Sequence, residues 1–111
     1  MGIDERITEI QSLFNKLGKE KPDLTNDFMK LVNSSLENGE LSQKYKEIIM
    51  VSLSLATGCE WCIPYHVSLA IKAGATRGEL LESAFLALLM TGTPALMKVI
   101  DLLKYLDEKK Q

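Results

Sequence analysis

Hydrophobic residues recur at spacings of three and four along nearly the whole chain, in six stretches divided by Gly, Pro and short polar breaks. Ile7, Ile10, Leu13, Phe14 and Leu17 predict a first amphipathic helix from about Asp4 to Leu17, stopped by Gly18. Pro22 and Asp23 restart the chain, and Leu24, Phe28, Leu31, Val32 and Leu36 carry a second helix with Asn38-Gly39 as its exit. Ser42 is placed to cap a third, which from Tyr45 to Ala56 is apolar nearly all round, the pattern of a helix buried on most of its faces. Gly58 ends it. A fourth helix is expected from Cys59 to Ala73, stopped by Gly74, and Thr76 with Glu79 forms a capping box for a fifth that runs to Met90. After Gly92, Thr93 and Pro94 are the expected N-cap and first-turn residues of a last helix striped by Leu96, Val99, Ile100, Leu103 and Leu106. No stretch sustains the alternation of a strand. The pattern therefore predicts an all-α fold, a bundle of about six helices joined by short loops. The third and fifth helices offer more apolar surface than five neighbours readily cover, which predicts an oligomer.

Composition narrows the function classes. A chain of 111 residues fits a single domain, 1–111, with one core. Thirteen basic against fifteen acidic side chains give a net charge of −2, too small to predict a nucleic-acid or membrane partner. The longest apolar run, Ala84 to Met90, is far short of the roughly 20 residues a membrane span needs, and the amino terminus is charged, so a cytoplasmic protein is expected. The two cysteines, three apart, cannot build the disulfide framework of a small secreted domain, which points to a chemical use.

Cys59, Cys62 and His66 form C-x-x-C-x-x-x-H, which puts the second sulfur and the imidazole at i and i+4 on one helical face. A cysteine attacks only as the thiolate, and its pKa falls at a helix amino terminus or beside a histidine. Pro64 is comfortable only in a first turn, so the helix should start close to Cys62 and favour Cys62 as the attacking sulfur. Cys59 would then resolve a Cys62 sulfenic acid as a disulfide, while a thioredoxin-style order would reverse the two roles. Glu47 is an acid on an otherwise apolar helix. If the third and fourth helices fold back at Gly58, Glu47 and His66 lie at nearly the same level, and a Glu47, His66, Cys62 proton relay becomes geometrically available. Taken singly, each of these residues has a structural reading, as a buried small hydrophobe, a satisfied histidine or a brace between helices. Together they favour a redox site over a zinc site, for which a second Cys or His pair is missing. Trp61 is suited to shielding the thiol, stacking on a substrate or packing.

At these residues the chain resembles the carboxymuconolactone decarboxylase and alkylhydroperoxidase D superfamily. The pattern is Glu47, eleven residues, Cys59-Glu60-Trp61-Cys62, three residues, His66, then A-G-A-T at Ala73 to Thr76 and G-T-P at Gly92 to Pro94, over roughly residues 25–105. The resemblance implies an all-helical fold assembling as homotrimers or homohexamers. In the alkylhydroperoxidase D branch it further implies Cys62 as peroxidatic cysteine, Cys59 as its resolving partner, and His66 with Glu47 as the relay. The implied activity is a thiol-dependent peroxidase or disulfide oxidoreductase with no cofactor or metal. It would act on a small hydroperoxide or disulfide and draw electrons from a thiol reductant protein, lipoyl-bearing or thioredoxin-like. That branch often has a second histidine where this chain has Trp61. The decarboxylase branch, which acts on small carboxylated lactones, lacks the cysteine pair. A lyase of that kind and a non-catalytic binding subunit are the alternative readings.

Overall fold

The computed structural model describes all 111 residues, Met1–Gln111, as six helices with no strand: α1 (Ile3–Glu20), α2 (Pro22–Leu36), α3 (Gln43–Thr57), α4 (Cys62–Lys72), α5 (Arg77–Thr91) and α6 (Thr93–Glu108). The all-α bundle expected from the hydrophobic spacing is the fold observed. Several helix ends lie where local chemistry puts them. Ser42 Oγ accepts from the Tyr45 N–H, and Gly58 closes α3 in the left-handed region, where a side chain would be strained. Thr76 Oγ1 accepts from the Glu79 N–H while Glu79 Oε1 accepts from the Thr76 N–H, completing the capping box of α5.

Three boundaries differ from the sequence reading. Helix α1 runs through Gly18 to Glu20, because a helical glycine costs only about 1 kcal/mol relative to alanine and does not break the hydrogen-bond ladder. What ends α1 is Pro22, which drives Lys21 out of the helical region to φ −140°, ψ 73°. Helix α4 starts at Cys62, where Pro64 places it, and Cys59 to Trp61, expected inside the helix from the spacing, form the turn before it. The N-cap of α6 is Gly92 at φ 75°, with Thr93 already helical, since the turn out of α5 requires a backbone conformation threonine does not favour.

The core belongs to α3–α6. Val51 and Leu55 of α3 meet Ile63 and Val67 of α4, Leu80 and Ala84 of α5, and Leu102 and Leu106 of α6, all essentially inaccessible to water. Helices α1 and α2 form a hairpin laid against this body. Helix α2 contributes no buried residue and α1 only Ile3. The hairpin is closed by Phe14 stacked on Phe28 at 6.1 Å and pinned at its start to α6, where the Ile3 N–H donates to Glu108 at 2.9 Å and Lys104 donates to the Met1 carbonyl at 2.7 Å.

Helix α3 is covered except along one stripe, and α5 leaves a broad apolar side bare, which is the surplus apolar surface expected from the two sequences. Tyr45, Ile49 and Leu53 of α3 are exposed, as are Phe85, Leu86, Leu89 and Met90 of α5. No helix is long and apolar enough to cross a membrane.

Candidate functional site

The α3–α4 turn brings the sequence-marked residues together. Glu47 lies in the first half of α3 and His66 in the second turn of α4. With the chain reversing at Gly58, His66 Nδ1 sits 2.8 Å from Glu47 Oε2, both side chains almost fully buried. A carboxylate in that position accepts from Nδ1–H and leaves Nε2 as the ring nitrogen able to take a proton. The short contact also answers the cost of burying an acid, which runs to several kcal/mol for an unpaired carboxylate.

Cys59 and Cys62 are both partly exposed and joined as a disulfide, with Cα atoms 5.2 Å apart. The first N–H groups of α4 are satisfied locally: the Cys62 N–H donates to Cys59 Sγ at 3.1 Å and the Ile63 N–H to the Cys59 carbonyl at 3.1 Å. Pro64, having no N–H, fits this first turn. The helix terminus thus acts on Cys59 through a direct hydrogen bond as well as on Cys62 through proximity. No group of three or more His, Cys, Asp or Glu side chains is arranged to hold a metal ion.

Cys62 and His66 share a wall of a cavity of about 820 Å³ between the α1–α2 hairpin and the body of the molecule. Trp61, Tyr65 and Met50 line the same end. Tyr65 is a member of this constellation that the sequence reading missed, although its i+3 spacing from Cys62 was a usable signal. Its ring meets His66 edge-on at 5.1 Å, and burial, followed by the Glu47 charge, pushes the phenol above its ordinary value. Tyr65 therefore stays a hydrogen-bond donor throughout the neutral range.

A second set of residues escaped the sequence reading because it comes from α1, some fifty positions away. Trp61 Nε1 donates to Glu9 Oε1 at 3.0 Å, the Arg6 guanidinium lies 4.8 Å over the Trp61 ring, and Arg6 also pairs with Glu60 at 3.3 Å. Helix α1 thereby grips both residues between the cysteines.

A sequence model described as the carboxymuconolactone decarboxylase family matches residues 22–105. An uncharacterised protein of Cupriavidus necator is 33% identical over 105 residues, 95% of this chain and 93% of its own length. A protein named for its place in the cox locus of Paracoccus denitrificans is 32% identical over 81 residues, 73% of each chain. Among solved structures, the apo form of a Legionella pneumophila protein described as a member of that family superposes with a TM-score of 0.91 at 33% identity, covering 98% of this chain and 97% of its own. A Thermotoga maritima protein at 24% identity shares the fold, with a TM-score of 0.89 over 96% of this chain and 93% of its own.

Proposed function

The chain belongs to the carboxymuconolactone decarboxylase family, and from that premise we propose that it is a thiol-dependent peroxidase in which Cys62 attacks, Cys59 resolves, and His66 braced by Glu47 manages the proton. The observation that carries the reading is the buried 2.8 Å contact from His66 to Glu47, beside a cavity that both His66 and Cys62 line. In the first step His66 Nε2 takes the Cys62 proton, and the thiolate attacks the terminal oxygen of a hydroperoxide. An S–O bond forms, the O–O bond breaks, and the proton held on His66 goes to the departing alkoxide, leaving an alcohol and a Cys62 sulfenic acid. The Cys59 thiol then attacks the sulfenic sulfur, water leaves, and the Cys59–Cys62 disulfide closes. An external dithiol returns both cysteines to thiols as it becomes a disulfide itself.

A second reading rests on the Cys62 N–H bond to Cys59 Sγ. That bond stabilises charge on Cys59, as required of the leading sulfur in disulfide exchange. Labelling with a sulfenate-specific reagent after one equivalent of peroxide separates the two. In the peroxidase order, Cys62→Ser consumes no peroxide and Cys59→Ser completes one turnover with the label on Cys62. Label on Cys59 in the Cys62→Ser protein would replace this order with the reverse one. Failure of both thiols to disappear from the wild-type protein on peroxide treatment would return the chain to the lyase and binding-subunit alternatives.

A further inference from the structure

The two residues between the cysteines are held from outside their own turn. Glu60 lies between two cations, Arg6 Nη2 of α1 at 3.3 Å and Lys98 Nζ of α6 at 3.8 Å. Trp61 is held twice by α1, through the Nε1 bond to Glu9 and through the Arg6 guanidinium over its ring. A turn that only joined two helices would need none of these contacts. Its own backbone bonds already close it, the Cys59 N–H to the Ser54 carbonyl and the Ile63 N–H to the Cys59 carbonyl, each at 3.1 Å.

Arg6 is not an ordinary surface cation. Exposed ion pairs contribute little to stability, because both partners keep most of their hydration. The side chain of Arg6 is only 18% exposed, and its Nε is the one buried side-chain polar atom in the molecule without a hydrogen-bond partner. An N–H enclosed in this way destabilises a fold. The placement of Arg6 thus costs stability, and what it secures is the geometry of Glu60 and Trp61.

Reduction acts on that geometry. Disulfide-bonded sulfurs are about 2 Å apart, whereas two thiols keep van der Waals contact at roughly 3.5 to 4 Å. Cys59 Sγ is already engaged by the Cys62 N–H at 3.1 Å, and only Glu60 and Trp61 separate the two cysteines. The extra separation therefore bears on the residues that α1 holds.

We propose that Arg6 is a positioning residue for the redox exchange of the Cys59–Cys62 pair: by gripping Glu60 and Trp61 in the turn that the disulfide requires, it stabilises the disulfide over the dithiol and ties the docking of α1 to the oxidation state. This rests on the redox use of the pair that both orders of attack above share, and on neither order. In the exchange an external dithiol gives up two electrons and two protons. The Cys59–Cys62 bond breaks, two S–H bonds form, and the sulfurs of the dithiol join as a disulfide. Coupling is reciprocal, so whatever Arg6 adds to the stability of the disulfide, the disulfide adds to the docking of α1. Helix α1 is suited to respond, since Ile3 is its only buried residue.

The protein is equilibrated with mixtures of reduced and oxidised dithiothreitol, trapped with N-ethylmaleimide, and its dithiol fraction read by mass spectrometry. Relative to the wild type, Arg6→Ala should shift the equilibrium toward the dithiol about tenfold, which is about 30 mV for a two-electron couple. Arg6→Lys keeps a charge beside Glu60 without a plane over Trp61, and should shift it at least threefold in the same direction. If Arg6→Ala fails to fold by circular dichroism, Arg6→Lys carries the test alone. Asp4→Ala removes the Lys109 contact at the start of α1 without touching the turn, and should leave the equilibrium in place. Amides of α1 should exchange with deuterium at least fivefold faster in the reduced than in the oxidised wild type, and this difference should disappear in Arg6→Ala. An unchanged equilibrium in the Arg6 variants, a shift toward the disulfide, an equal shift in Asp4→Ala, or equal exchange of α1 in the two oxidation states would overturn the proposal. The equilibration uses no peroxide. The expected shift in a protein that consumes no hydroperoxide would keep this inference and remove the peroxidase reading, and hydroperoxide turnover with an unshifted equilibrium would do the reverse.

Discussion

At the scale of single residues, the site turns on how a buried acid is made tolerable. Glu47 is 1% exposed and meets His66 Nδ1 at 2.8 Å, so the pair acts as one unit in which neither side chain keeps its environment without the other. If the unit draws the proton from Cys62, then with Cys59 replaced by serine, His66→Gln and Glu47→Gln each slow iodoacetamide alkylation of Cys62 near neutral pH. The expected factor is roughly 10 to 30, since an unactivated cysteine is already a few per cent thiolate near neutral pH, and the double variant is no slower than the worse single one. An unchanged pH midpoint of alkylation in both would assign the reactivity of Cys62 to the helix terminus alone. Tyr65 offers a second readout of the same charge. Its phenol is raised above 10.0 by burial first and by Glu47 second. The folded state therefore keeps a proton that the unfolded chain releases near pH 10, and the phenol's share of stability is full below that pH and is lost as pH rises through the folded value. In Glu47→Gln the Tyr65 titration, followed by NMR of ring-labelled tyrosine, should move down toward the ordinary value without reaching it. Glu47 was legible in the sequence because a lone acid interrupts an apolar helix, and His66 because of its offset from Cys62. Arg6 and Glu9 were not legible, since they reach Glu60 and Trp61 across the fold from a helix whose polar face carries no mark of what it touches.

At the scale of elements, the helix ends set by a side-chain cap or a left-handed closing glycine were readable at Ser42, Gly58 and Thr76, whereas those set by the backbone at Lys21 and Gly92 were not. The Thr76–Glu79 box also carries a pH dependence. Glu79 is held below its ordinary value of 4.5 mainly by the Thr76 N–H, with further help from Lys44, whose ammonium lies 3.0 Å from the carboxylate and ties α3 to α5. A depressed carboxyl contributes stability that is full above the unfolded value and is lost as pH falls through the folded one. Thermal unfolding of Glu79→Gln should therefore lose part of the acid sensitivity that the wild type shows below about pH 4.5. Thr76→Ala should lower stability at neutral pH by about 1 kcal/mol. Gly18 misled for the opposite reason: glycine is a weak breaker, and only Pro22, through Lys21, had the steric means to end α1. The start of α4 was legible from Pro64 alone.

At the scale of the whole molecule, the hydrophobic pattern gave the bundle but could not say which apolar faces meet each other and which remain bare. The core of α3–α6 takes one side of α3 and α5. The opposite side leaves Leu89 81% and Met90 85% exposed beside Phe85 and Leu86, with Met97 and Ile100 of α6 also open to solvent. Monomeric proteins rarely leave more than a few hundred Å² of contiguous apolar surface in water, because each Å² withdrawn from water stabilises by about 25 cal/mol. Two copies meeting through such faces would bury a surface that is self-complementary in chemistry, and the small net charge of −2 offers little repulsion to oppose them. The expected state is a homotrimer or homohexamer, with a sedimentation mass several times the 12.4 kDa of one chain at micromolar concentration. A glutamate at the centre of that face should reverse this. Leu89→Glu and Met90→Glu together would have to bury two unpaired carboxylates per chain to keep the assembly, at a cost of several kcal/mol each. The double variant should sediment as a monomer while its far-ultraviolet circular dichroism stays helical, because neither position contributes to the core. A wild-type mass near 12.4 kDa would mean that α5 stays exposed, and a variant that keeps its assembly would place the interface elsewhere, on the α1–α2 hairpin.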